Sequence, residues 1–419
     1  MAAAREILRG KVLYRDIWFD KPPFYSLVYL LWGAHAGWPL RIAGALFVCI
    51  TAFIAGLFAK AVGGEVAGKL GACLLAIFLT FDIHSSVLAL APDLLMVPLH
   101  LGAMYLAWRK RAFEAGFVAG LAMLFNTKAL FVAAACALWV PEWRFALGFV
   151  LPNGVALAWM AIAGVLPDYW LQVWRWGMRY SQDTFLAHPL LEGLKRTGNW
   201  LGFHLALVVG VAVWMARQWS WRMAGWAILS LVAVTAGWRF FPRYYYQLLP
   251  FAVVVGAAGI ALMRPRWRIV TLCLLLIPIV RFAPRYVTIS SWPDLALMND
   301  SRRAAELARA VAHPGDELLV WGYRPDVFVF SELPAATRYL DSQPLTGVLA
   351  DRHLVSAKAT AAELAAPNLR EVERIRPAII VDGLGVLNPE LAADRYLPFL
   401  AEYQIAGRTS ASIVYVTKR

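Results

Sequence analysis

Near the start of the chain, Tyr14-Arg15-Asp16-Ile17-Trp18-Phe19-Asp20-Lys21-Pro22-Pro23 sets two carboxylates and two cations among aromatic rings. The two prolines stiffen the backbone and bar helix continuation at Lys21. A lysine held this way beside an apolar region suits a phosphate, and Asp16 or Asp20 suits proton acceptance. Interfacial anchoring is the plainer role for the same residues. Asp82, His84 and Asp93 form a second polar group, with Asp93 directly after Pro92 at the head of an apolar run. A carboxylate there is costly and therefore a functional candidate, although aspartate in a first helical turn also complements the dipole. Lys128 lies in Asn126-Thr127-Lys128 between two apolar runs with almost no loop, where its charge must snorkel or pair. Finally, Arg239-Phe240-Phe241-Pro242-Arg243-Tyr244-Tyr245-Tyr246-Gln247 joins guanidinium groups to phenols. Guanidinium binds phosphate through paired donors, and rings pack on sugar faces.

The elements that must position these groups are apolar. The 419 residues are 60% hydrophobic and only 16% charged, against about a quarter charged in soluble domains. Nineteen tryptophans fit the aromatic belts of membrane interfaces. The net charge of +13 comes from short basic clusters between apolar runs. That pattern encodes membrane topology and argues against a nucleic-acid groove. Cys49, Cys73, Cys136 and Cys273 lie inside apolar runs without CxxC spacing, so neither a zinc site nor a disulfide framework is expected. No cluster of metal ligands is visible, and no metal or cofactor is expected.

Apolar runs of spanning or near-spanning length recur at 38–60, 65–82, 91–108, 111–125, 128–141, 145–166, 199–216, 221–238, 245–263 and 267–283. They predict an all-α membrane bundle of about ten spans. Residues 24–37 are too short to cross and read as an interfacial helix. With the chain before Trp38 outside, the inner loops are those near Lys60, Arg109–Arg111, Arg144, Arg217–Arg222 and Arg264–Arg268. All are short and basic, as the positive-inside rule requires. From Asn299 onward polar helical stretches alternate with short apolar strands at 317–321, 326–330, 378–382 and 412–416, which predicts a small α/β domain. The expected organisation is an external loop with interfacial helix (1–37), a helical bundle (38–284) and an extracytoplasmic α/β domain (285–419). Every polar group singled out above then falls on the outer face, as a cleft for an anionic, lipid-linked ligand would require.

Several of these stretches also resemble a known family. Arg5-Glu6-Ile7-Leu8-Arg9-Gly10 through Tyr14-Arg15-Asp16 to Lys21-Pro22-Pro23 resembles the first external loop of bacterial GT-C glycosyltransferases, the group of protein O-mannosyltransferases and the lipid A aminoarabinose transferase. Gly120–Lys128, Phe241–Pro250 and Val320-Trp321-Gly322-Tyr323-Arg324-Pro325 are similar to that family too. The resemblance covers essentially the whole chain. It implies transfer of a sugar from a polyprenyl-phosphate carrier to a lipid, protein or polysaccharide acceptor at the periplasmic face of the inner membrane. It implies that Lys21 meets the carrier phosphate with Arg243 or Arg239, that Asp93 is an acid near the site, that Tyr244, Tyr245 and Tyr246 line the pocket, and that Lys128 joins them at the mouth. The expected partners are the lipid-linked sugar and membrane lipid, with no nucleic acid.

The chain departs from that family in two places. Relatives begin with a further membrane helix ending in an acidic residue that serves as base, and Met1 stands just after the place where that residue would be. The expectation is an upstream start, or else a shortened relative in which Asp16 or Asp20 replaces the base. Arg243 also stands where many relatives carry histidine. Two other classes remain open: a transporter or flippase of a lipid-linked or anionic solute, and an inactive relative that binds the lipid carrier. A transporter would place ionisable groups at the bilayer midplane, often within inverted repeats, whereas here they crowd one face.

Overall fold

The structure, a computed structural model, describes residues 1–82, 90–182, 184, 186–288 and 292–418. His84 lies outside the described residues.

Among the described residues three helices are long and apolar enough to cross a membrane: Trp38–Thr80, Trp143–Ile162 and Pro265–Val287, the last interrupted near Leu274. At about 1.5 Å per residue a 20-residue helix such as Trp143–Ile162 reaches about 30 Å, the thickness of the hydrocarbon layer. Their outward faces are apolar. Ile42, Leu46, Ile50, Phe53 and Leu57 form an exposed stripe at three- and four-residue spacing, and Leu147, Val150, Leu151, Val155 and Ile162 form another. Exposed apolar stripes of this length belong against lipid.

The two runs at 38–60 and 65–82 join into one element that breaks at Gly64, where φ is +82°. The run at 199–216 is instead two helices, Pro189–Phe203 and Leu205–Arg217, bent by 89°. The remaining apolar runs form helices of 9 to 17 residues, such as Ala129–Ala137 and Pro92–Trp108. These fall short of a straight crossing by rise alone, so the described residues do not show the ten full-length spans expected. Residues 24–37 form no spanning helix. A short helix, Phe24–Leu27, runs into a 3-10 turn, Val28–Trp32, that ends at Gly33.

Leu249–Ala261 is the axis of the bundle and is buried on all sides, as a helix that is apolar all round must be. It packs on Trp38–Thr80 and on Leu205–Arg217 through small residues. A Cβ on Gly259 would lie 1.8 Å from the Gly210 carbonyl oxygen. Ala112–Met123 meets Trp143–Ile162 in the same way, and a Cβ on Gly148 would lie 2.1 Å from the Phe113 carbonyl oxygen. Only glycine allows backbones this close.

The bundle is electrically polarised. At one end basic side chains cap helix C-termini. Lys110 Nζ donates to the Trp139 carbonyl at 2.7 Å, Arg217 to that of Leu262 at 2.8 Å, and Arg268 to that of Ala261 at 2.8 Å. Cations there complement the helix dipole. The opposite end holds Asp82, Asp93, Lys128 and the Tyr244–Tyr246 turn, and the tail covers it.

The tail contains a four-stranded sheet of β1 (Leu318–Trp321), β2 (Ile379–Asp382), β3 (Tyr403–Arg408) and β4 (Ile413–Thr417), ordered β1-β2-β4-β3. β1 and β2 run parallel, and β4 is antiparallel to both of its neighbours. The predicted strand at 326–330 is a helix, Asp326–Ser331. Pro325 presets its start and Asp326 complements its first turn, which overrides the alternation of Val327, Phe328, Val329 and Phe330. β3 escaped the sequence reading because it is an edge strand with exposed Gln404 and Arg408. The helix Pro293–Val311 packs on the sheet. There Arg324 donates to Asp300 Oδ2 at 2.8 Å, and Ser412 Oγ donates to the same oxygen at 2.7 Å.

Candidate active site

The cleft forms where four separate segments meet. The first is the loop of residues 11–23. Its backbone at Tyr14 is left-handed, with φ at +72°, a conformation that costs a side-chain-bearing residue about 1–2 kcal/mol. Side chains from elsewhere hold it there. Gln172, in the π-helical stretch Trp170–Arg175, donates to the Tyr14 carbonyl at 2.8 Å and accepts from the Phe19 N–H at 2.8 Å. Arg338, in the tail, donates to the same Tyr14 carbonyl at 2.6 Å, while the Trp18 N–H donates to the Arg338 carbonyl at 2.7 Å. The buried Tyr14 hydroxyl donates to the Lys21 carbonyl at 2.9 Å. Lys21 is therefore fixed from below as well as by Pro22 and Pro23. Its ammonium meets Asp20 Oδ2 at 2.5 Å. Burial disfavours that ammonium, but the charge and the hydrogen bond of Asp20 together with Tyr180 outweigh burial and hold its pKa above the ordinary lysine value.

The second and third segments meet at Asp93. Its carboxylate stands in the first turn of Pro92–Trp108 and is almost fully buried. Asn126 Nδ2 donates to it at 3.0 Å and Lys128 Nζ lies 3.9 Å away. Asn126 also accepts from the Lys128 N–H at 3.0 Å, which ties the turn that carries both. Lys128 Nζ sits 3.0 Å from the centroid of the Tyr244 ring and has no hydrogen-bond partner among the described residues. Burial pushes this ammonium down to about 8, Asp93 opposes the shift, and the nearby cations Arg243 and Lys21 add to it.

The fourth segment is the 3-10 turn Pro242–Gln247. With about three residues per turn, its consecutive phenols diverge. Tyr244 faces Lys128, whereas the Tyr245 hydroxyl pairs with Thr197 Oγ1 at 2.8 Å and its ring stacks on Trp200. Tyr245 and Tyr246 line a separate small cleft with Asp82, Trp200 and His204. Arg243 lies 5.0 Å from the Phe241 centroid and 5.8 Å from that of Tyr244, and makes no hydrogen bond or ion pair among the described residues.

Five of the residues expected in the site take other places, Tyr246 among them in the small cleft beside Asp82. Arg239 is fully buried, pairs with Asp351 of the tail, donates to the Tyr180 carbonyl and lies over the Tyr180 ring at 3.6 Å. Through Asp351 it fastens the tail to the bundle. Asp16 accepts from the Val12 N–H at 2.8 Å and pairs with Arg15, closing a turn on the outer side of the loop. Tyr14 supports the loop from beneath, and Tyr245 turns away. Asp20, Lys21, Asp93, Lys128, Arg243 and Tyr244 do converge. Lys21, Lys128 and Arg243 are close enough for their charges to act on one another.

The sequence reading missed two contributions from the tail. Tyr323, just after β1, and Asp341 are both within electrostatic reach of Asp20, and Tyr323 also of Arg243. Tyr323 belongs to the Val320–Pro325 motif, which was a usable signal. Asp341 carried no signal in sequence. Burial pushes its carboxyl up to about 7; the Gln343 N–H opposes the shift and the negative Asp20 adds to it.

An apolar bundle with a polar cleft at one end, roofed by a small α/β tail, is a fold this chain shares with solved structures of ArnT. Among solved structures, ArnT from Cupriavidus metallidurans in the apo state aligns over 98% of this chain and 91% of its own, at 13% identity and a TM-score of 0.61. The same protein bound to undecaprenyl phosphate aligns over the same shares with a TM-score of 0.60. An oligosaccharyltransferase from Archaeoglobus fulgidus aligns over 92% of this chain and 65% of its own, at 13% identity and a TM-score of 0.48. The sequence matches no family model and no curated protein.

Proposed function

We propose that the chain transfers a sugar from a polyprenyl-phosphate carrier to an acceptor at the outer membrane face. The observation that carries this reading is the gathering of Lys21, Lys128 and Arg243 in one cleft, two of them without hydrogen-bond partners among the described residues. Asp20 and Asp93 offset two of the three charges, and the cation left in excess is costly to bury beside the others. An anion of high charge density, such as a lipid phosphate, reverses the sign of that interaction. The shared fold supports the reading, since ArnT has been crystallised with undecaprenyl phosphate.

In this mechanism Lys21, Lys128 and Arg243 bind the carrier phosphate and stabilise the charge that builds on it as the glycosidic bond breaks. Tyr244 and Tyr323 wall the cleft beside them, and a carboxylate accepts the proton of the attacking group. The basic bundle end then faces the cytoplasm and the tail lies outside. All three cations sit at one end of the bundle, whereas a transporter needs them near its middle.

The test is release of undecaprenyl phosphate from a panel of undecaprenyl-phosphate hexoses and pentoses, with cell-envelope extract as acceptor, by the full chain in membranes. Wild type should release carrier and Lys21→Ala should lower the rate at least about a hundredfold, because a charged contact specific to the leaving phosphate contributes about 2.7–4 kcal/mol. Equal rates for the two would remove Lys21 from the site. No binding and no release by wild type would refute the function.

A further inference from the structure

We infer that the helix Pro189–Phe203 lies along the outer surface of the bilayer with one face in lipid, and that it holds the turn carrying Arg243 and Tyr244 in place. What that turn binds rests on the sugar-transfer reading above; the seat of the helix in lipid does not.

Pro189–Phe203 is bent by 89° from Leu205–Arg217, which runs down the bundle to the basic end, where Arg217 donates to the Leu262 carbonyl. It therefore runs across the bundle. Arg281, in the last two turns of the spanning helix Pro265–Val287, donates to Asn199 Oδ1 at 3.1 Å, which sets the height of Pro189–Phe203 at the outer end of a span. At 3.6 residues per turn its side chains divide into three faces. Gly193, Trp200 and Phe203 are buried against the protein, with Arg196 between them. Leu190, Leu194 and Leu201 share a second face, with Leu191 at its edge, and all four are exposed, Leu194 by 73%. Glu192, Lys195 and Asn199 share the third, where Lys195 Nζ donates to Glu192 Oε1 at 3.0 Å. Water alone leaves the leucine face without a partner, and lipid alone leaves the Lys195–Glu192 pair without solvent. Protein, lipid and water on three sides of one helix meet where the bundle crosses the membrane surface.

The elements that this helix touches face lipid themselves. Val280, beside Arg281, is exposed, as are Ile228, Leu231 and Val232 on Trp221–Thr235, the helix that leads into the turn. Trp238, half exposed after that helix, packs its ring on Phe240 at 6.2 Å. A tryptophan with one side apolar and one side wet belongs at the membrane boundary. The leucine face thus continues a surface already given to lipid.

The protein face of the helix grips the turn at two places. Before the turn the backbone is left-handed at Trp238 and Phe240, with φ at +52° and +47°, a conformation disfavoured for residues that carry a side chain. Arg196 donates to the Arg239 and Phe240 carbonyls at 3.2 and 3.3 Å. Gly193 lets the Phe240 ring approach, since a Cβ there would lie 2.5 Å from it. Further on, Thr197 Oγ1 and the Tyr245 hydroxyl pair at 2.8 Å, and Trp200 stacks on Tyr245. Arg243 and Tyr244 stand between these two attachments, so the helix sets where they point.

The experiment uses the full chain in vesicles of phosphatidylethanolamine and phosphatidylglycerol, with Cys49→Ala, Cys73→Ala and Cys273→Ala removing the exposed thiols and buried Cys136 kept. A nitroxide label is attached through Leu194→Cys or Lys195→Cys, and its collisions with oxygen, which partitions into lipid, are compared with those of a water-soluble nickel chelate. Oxygen should prevail at 194 and the chelate at 195. The same reagent prevailing at both positions, or shielding of 194 from both reagents as a protein partner would produce, overturns the lipid seat. The hold on the turn is read by binding of undecaprenyl phosphate to Arg196→Met, Arg196→Lys, Arg243→Met and the Arg196→Met/Arg243→Met double variant. Arg196→Met should weaken binding about tenfold or more, and Arg196→Lys should restore part of it. The double variant should bind within about twofold of Arg243→Met alone, because coupled residues do not lose their contributions twice. Losses that add in the double variant, or Arg196→Met within about twofold of wild type, overturn the hold on the turn. A wild-type chain that binds no carrier refutes the sugar-transfer reading and the role of the turn with it, while the label pattern still decides the seat.

Discussion

Replacing Arg243 with methionine should separate binding from folding. In the folded chain the guanidinium makes no hydrogen bond or ion pair among the described residues, and touches only the Phe241 and Tyr244 rings at 5.0 and 5.8 Å. Each such contact contributes about 0.5–1 kcal/mol, and the methionine stem replaces part of it. Loss of one cation also relieves repulsion on Lys128 and Lys21. The melting temperature should therefore change by no more than about 2–4 °C. A hydrogen bond to a charged phosphate contributes about 1.5–3 kcal/mol, so affinity for undecaprenyl phosphate should fall about tenfold to about 150-fold. The assay is titration of the purified chain in detergent with undecaprenyl phosphate, read by calorimetry, with Arg302→Met as a control. Arg302 lies over the Phe330 ring in the tail, away from the cleft. An Arg243→Met affinity within about twofold of wild type would refute the assignment, as would an equal loss in the control.

Lys128→Met should remove a pH dependence of stability. The Lys128 ammonium lies near 8 in the folded chain and 10.5 in the free side chain, so between these values the unfolded state holds more protons and stability rises with pH. Wild type should gain melting temperature from pH 8 to about 10, and the methionine variant should lose that component of the gain. Arg239→Ala or Asp351→Ala alone breaks a buried ion pair and should cost about 3–5 kcal/mol; chemical denaturation should show the double variant costing less than the sum. Gly148→Leu should prevent folding or cost more than about 3 kcal/mol, because its Cβ would lie 2.1 Å from the Phe113 carbonyl oxygen. Gly154→Leu on the same helix, where nothing lies within 4 Å of a Cβ, should be neutral when the two are compared by detergent melting.

Much of the site was legible because membrane chemistry makes polar residues conspicuous. Asp93 and Lys128 are the only charges for many residues on either side, and the structure brings them to 3.9 Å. Position along the chain did not say which way a side chain turns. Arg239 and Arg243 are four residues apart in one basic, aromatic stretch, yet one is pinned beneath the tail and the other borders the cleft. Residues 326–330 show the same limit in the tail, since alternation of apolar side chains could not distinguish a strand from one turn and a half of helix begun by Pro325. Asp341 was illegible for a third reason. It lies some 320 residues after Asp20, and only the docking of the tail makes them neighbours.

That docking also sets a sequence of events during synthesis. Trp18 and Tyr14 depend on Arg338 for two of the contacts that fix the first loop, and Arg338 leaves the ribosome more than 300 residues later. At about 5–20 residues per second the loop waits at least about a quarter of a minute for its partner. Throughout that interval the loop is held by Gln172 and by its own Tyr14 hydroxyl, without the two contacts to Arg338. The first loop therefore gains these contacts in one step, when the last-made part of the protein closes over the first.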